Sequence, residues 1–263
     1  MKTRMTFLTL LLFFELTLAV TAGMLGGGIA ARLGMAAALA LPLLLLLRAP
    51  AGTPPLSFAV GKRRAYLSLL LLPLFVFTTA GVSLLWGAVA KLLGLTLTGA
   101  VPMESLPLAL LFDAALPAVL EELFCRGALF SVLRPMGRRV AVLGSALLFA
   151  LMHASPAQLP YALVAGILLA LLYEGTGSLL FPILFHFGNN LLSLLLLFGL
   201  PTGATLAVLG ALSVLGLLLL LFLLKGDPPR LPEREAHPYS GFREFFRSPL
   251  LLYLAVILTL TLL

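Results

Sequence analysis

Apolar runs of bilayer length recur along the whole chain, and they constrain its fold more than any other feature. Segments 6–23, 27–47, 66–90, 107–131, 140–154, 159–173, 179–199, 204–224 and 248–263 are each dominated by Leu, Ala, Val, Ile and Phe. A helix needs about 20 such residues to cross the hydrocarbon core. Lipid offers no partners to open backbone groups, so the runs read as helices. The expected fold is all-α, a polytopic transmembrane bundle of about eight or nine helices, with 1–263 as a single membrane domain. The last run is marginal, because 248–263 is short for a crossing. Composition agrees, since 61% of residues are hydrophobic and only 10% are charged, a balance foreign to soluble domains.

The N-terminus has two readings. A basic start, an apolar stretch and then Thr21-Ala22-Gly23 resemble a signal peptide, whereas Glu15 and the length of the run favour a retained first helix. Segment 225–249, rich in charge and proline, reads as a cytosolic linker. Its Gly-Phe-Arg-Glu-Phe-Phe-Arg stretch suits a membrane surface or a solvated loop equally.

The formal charge of +7 would raise the question of nucleic acid in a soluble protein. Here the basic residues sit in short loops, where they set orientation, and no nucleic-acid partner is expected. On the spans above, the basic residues at 2, 4, 48, 62–64, 134, 138, 139 and within 225–249 share one side, and Arg32 and Lys91 lie near the other. That split places the N-terminus in the cytosol and Trp86 near the outer interface. The single cysteine, Cys125, excludes an intrachain disulfide.

Charge inside the runs is concentrated at Glu121, Glu122 and Arg126. A charge near the bilayer centre costs roughly 2.5–3.5 kcal/mol on insertion scales, so all three should face protein or a watery cavity. Residues four apart share a helix face. Glu122 and Arg126 can therefore pair, while Glu121 points toward the side of Pro117, Ala118 and Cys125. An ion-paired cluster that only locks helices together is a serious reading for the pair and a weaker one for Glu121. Pro117 has no N–H to donate to the Asp113 carbonyl, so a kink is expected beside the glutamate.

Two neighbouring runs add His153 and, four apart on one face, His186 and Asn190. Asn189 points about 100° away from Asn190. Singly, such residues usually make interhelical hydrogen bonds. Together with a glutamate pair they supply what amide hydrolysis by water needs: a carboxylate to take the proton, a histidine to hold the water, and donors for the developing oxyanion.

These residues resemble the CPBP family, which comprises type 2 CAAX prenyl proteases, bacteriocin-processing enzymes and abortive-infection proteins. Glu121, Glu122 and Arg126 match its EExxxR motif, Phe149 and His153 its FxxxH motif, and His186 and Asn190 its HxxxN motif. The resemblance covers roughly 107–200, the expected catalytic core helices. It implies an intramembrane glutamic endopeptidase. Glu121 would activate water, His153 would help bind it, His186 and Asn190 would form the oxyanion hole, and Glu122 and Arg126 would orient the site. Cys125 falls at a variable position and is read as a small buried residue. The implied partners are the bilayer and a peptide or protein substrate, lipid-anchored or membrane-inserted substrates included.

No cofactor is expected. A zinc site made by Glu121, His153 and His186 is the minor alternative, weakened by the lack of HExxH. A non-catalytic immunity or scaffold protein and a transporter are the other classes. By helix rise, Glu121 lies roughly 15 Å, His186 roughly 12 Å and His153 roughly 20 Å from the cytosolic ends of their spans. The expected site opens toward the cytosolic half, with substrate entering there or laterally from lipid.

Overall fold

The computed structural model describes residues 28–47, 57–59, 62–95, 97 and 105–199, with single positions elsewhere. Among the described residues the chain is helical, without strands. The helices are α1 (Ile29–Leu47), α2 (Lys62–Leu92), α3 (106–133), α4 (Arg138–Met152), α5 (Leu159–Thr176) and α6 (Leu180–Leu197). Each begins and ends within a few residues of the expected run. Three carry segments long and apolar enough to cross a membrane: Leu71–Leu92 in α2, α5 and α6. The expected total of eight or nine helices also counts 6–23, 204–224 and 248–263, which, like the linker 225–249, lie outside the described residues apart from single positions.

α3 is not a uniform helix. Leu110–Ala115 and Leu123–Leu129 are π turns set between α-helical pieces. Leu116 N–H reaches Leu111 O, and Phe130 N–H reaches Cys125 O, each five residues back. The irregularity expected at Pro117 thus takes the form of a π turn before it. A proline lacks one donor, and a wider turn redistributes the carbonyls it would have met. The second π turn begins right after Glu122, between the glutamates and Arg126.

Lipid tails are as apolar as leucine, so these helices associate through close packing rather than through expulsion of water. The α4–α5 contact uses small residues. Ala146 and Ala150 of α4 face a face of α5 carrying Ala162, Gly166 and Ala170 at four-residue spacing, and all of them are buried. A Cβ built on Gly166 would lie 2.9 Å from Ala146 Cα. Gly166→Ala must therefore push α4 and α5 apart, and overpacking of this kind costs about 1–3 kcal/mol. Thermal unfolding in detergent is expected to shift down by several degrees.

At one end of the bundle, Glu174 of α5 pairs with Arg134 at 3.1 Å and with Arg138 at 2.5 Å. Gly137, at φ +116°, makes the turn between these arginines in a conformation that side chains rarely adopt. At the other end, Trp86 donates its indole N–H to Pro156 O at 2.9 Å.

Candidate active site

The site is built where α3, α4 and α6 meet. Glu122 and Arg126 are both fully buried, and Arg126 Nη1 lies 2.6 Å from Glu122 Oε1. The pair expected from the four-residue spacing is therefore present. Arg126 is held by two further groups. Its Nη2 donates to the Gly166 carbonyl at 2.9 Å, and its guanidinium lies 4.6 Å from the Phe149 ring centre. A buried cation persists only with such compensation.

Glu122 Oε1, already accepting from Arg126, accepts a second hydrogen bond from His186 Nδ1 at 2.9 Å. This fixes the imidazole of His186: Nδ1 carries hydrogen, and Nε2 turns the other way, toward Glu121. His153 is fixed similarly. Its Nδ1 donates to the Phe149 carbonyl at 2.8 Å, because a carbonyl can only accept. The Phe149 ring stands edge-on to both histidines, at 4.9 and 5.6 Å between centres. Just beyond His153, Ala154 takes φ 45°, a left-handed conformation that stops α4 at the histidine.

Glu121 faces the result. Its Oε2 lies 3.9 Å from His153 Nε2 and 3.8 Å from His186 Nε2. That oxygen is buried and has no hydrogen-bond partner. Glu121 and both histidines line one cavity of about 570 Å³, and Asn190 lines it too. Asn189 also reaches the cavity wall but is held by the Thr79 hydroxyl of α2 at 2.7 Å. Ser178 and Leu179 are fully buried, so α6 starts inside the bundle and carries His186 deeper than its place in the helix suggests. This is how His186 and His153 come to one level despite their different distances along their own helices.

Several residues in or beside this cavity carried no sequence signal. Tyr161 of α5 is a lone polar group in an apolar run. Gly166 acts through its carbonyl and its missing Cβ. Arg32 of α1 pairs with Asp113 of α3 at 3.1 Å, and both line the cavity. Arg32 had been legible only as a charge near the outer side. Among the described residues, no group of three or more His, Cys, Asp and Glu side chains has an arrangement suited to a metal ion.

A family model described as type II CAAX prenyl endopeptidase Rce1-like matches residues 103–192, which include Glu121, Glu122, Arg126, His153, His186 and Asn190. No curated protein and no solved structure matches the chain. The class is thus an integral membrane protein of apolar helices, in which Glu121, His153, His186 and Asn190 line one cavity beside the buried Glu122–Arg126 pair. Within it, residues 103–192 are similar to the Rce1-like type II CAAX prenyl endopeptidases, in keeping with the resemblance carried by the three motifs.

Proposed function

We propose that the protein is an intramembrane endopeptidase that hydrolyses a peptide bond with water activated by Glu121. The observation that carries the reading is the buried, unpartnered Glu121 Oε2 facing two imidazole Nε2 atoms at 3.8–3.9 Å. That separation is too long for direct hydrogen bonds, and one water lying beside the three groups would be within hydrogen-bond reach of each.

The chemistry follows from donors and acceptors. Water donates two hydrogen bonds, one to Glu121 and one to His153 Nε2. His186 Nε2 is the third group, and it contributes as a donor when its ring carries both protons. Its Nδ1 proton rests on Glu122. As the water oxygen bonds to the substrate carbonyl carbon, its proton passes to Glu121 and the carbonyl electrons move to oxygen. The oxyanion accepts from His186 Nε2 and the Asn190 amide. Collapse breaks the C–N bond, and Glu121 returns the proton to the leaving amine. Glu122 and Arg126 never touch substrate in this scheme; they hold His186. No metal takes part.

The test is digestion of a peptide library by the detergent-purified protein under strong chelation. Cleavage is expected at an unchanged rate. Cleavage abolished by the chelator and restored by zinc alone would replace Glu121 as base with a zinc site held by Glu121, His153 and His186.

A further inference from the structure

The cavity belongs to one end of the bundle. Its walls come from Ala31 to Leu39 of α1, Phe75 of α2, Phe112 to Glu121 of α3, Phe149 and His153 at the end of α4, Gln158 to Leu169 at and after the start of α5, and His186 to Leu197 of α6. From the middle of the bundle it runs toward the end where Trp86 meets Pro156, with Arg32, Asp113, Gln158 and Leu197 lining it on that side. The other end is sealed. Between Glu121 and the arginines, Phe124, Arg126, Leu129, Leu133 and Leu148 are all 0% exposed. The distances are large, since fifteen residues of α4 separate Arg138 from His153, or about 22 Å of helix rise.

Charge separates the same two ends. The sealed end carries Lys62, Arg63 and Arg64 at the start of α2 and Arg134, Arg138 and Arg139 around the α3–α4 turn. The cavity end carries Lys91 and Arg32, and Arg32 is paired with Asp113. Basic residues in short loops stay in the cytosol, so the sealed end is the cytosolic one.

We propose, resting on the proteolytic reading above, that the cavity opens on the non-cytosolic face and that the substrate is a peptide or protein segment exposed on that face. This reverses the cytosolic opening expected from sequence. That expectation measured the depth of each residue along its own span. It could not see that α6 begins inside the bundle or that packed core fills the arginine side.

Two readouts separate this inference from the proteolytic one. First, Lys91→Cys and Arg139→Cys are labelled in intact cells with a membrane-impermeant maleimide; the native Cys125 is buried. Lys91 and Arg139 are both exposed. Strong labelling of Lys91→Cys with background labelling of Arg139→Cys is expected, whether or not the protein cleaves anything. The reverse pattern overturns the proposal. Second, hydrophilic quenched peptides cleaved by the detergent-solubilised protein are added outside sealed vesicles. Right-side-out vesicles are expected to cleave them and inside-out vesicles to lose cleavage. Cleavage by inside-out vesicles alone overturns the sidedness while leaving Glu121 as the base. If the detergent-solubilised protein cleaves nothing, the proteolytic reading fails and the labelling alone decides the face.

Discussion

Glu121→Gln is expected to reduce peptide cleavage by roughly 10²–10⁴-fold, the contribution of a positioned general base, with the fold intact. Glutamine keeps the shape of the side chain but cannot take a proton from water. The fold should not suffer, because Glu121 Oε2 makes no hydrogen bond that the change would break. Burying the Oε2 atom of Glu121 without a partner opposes folding. The variant's thermal midpoint in detergent should therefore equal or exceed that of the unaltered protein, the usual pattern when a strained functional group is removed. Initial rates on one cleaved peptide, beside unfolding curves for both proteins, make the check. A folded Glu121→Gln protein that cleaves at the unaltered rate would remove Glu121 from the role of base.

Arg126→Ala is expected to do the opposite, losing the fold before the chemistry is reached. Breaking a buried ion pair by removing one partner costs about 3–5 kcal/mol. Here the change leaves the fully buried Glu122 without its cation and the Gly166 carbonyl without its donor. It also opens a void beside the Phe149 ring. Yield of monodisperse protein and its unfolding temperature should both fall sharply. Arg126→Lys should fall between, since an ammonium keeps the charge but lacks the planar fork that reaches Glu122 and Gly166 together. If Arg126→Ala folds as well as the unaltered chain, the Arg126–Gly166 hydrogen bond is not what holds α3 against α5.

Much of this arrangement was legible in the amino-acid sequence because expensive residues in lipid must be explained. The spacing of Glu122 and Arg126 identified a pair, and the pair is present at 2.6 Å. The six described helices fall on the expected runs, because the 20-residue demand of the bilayer leaves little freedom. The rest depended on features that spacing does not encode. The π turns of α3 arise where the backbone shifts from four-residue to five-residue bonding. The imidazole orientations depend on a Phe149 carbonyl and on Glu122, and only the second carries a charge that sequence would flag. Gly166 looked like one glycine among 24, yet its missing Cβ sets the α4–α5 approach. Arg32 reads as a loop charge until its pairing with Asp113 places it on the cavity wall.

In the proposed reaction His153 and His186 serve one water beside Glu121, and a double-variant cycle tests that most directly. kcat/KM is measured for His153→Ala, His186→Ala and the two combined. Groups that act as a unit are strongly non-additive, so the double variant is expected to fall about as far as the more damaged single one. A double variant whose loss equals the product of the two single losses would mean that the histidines act independently, and would contradict their convergence on one water.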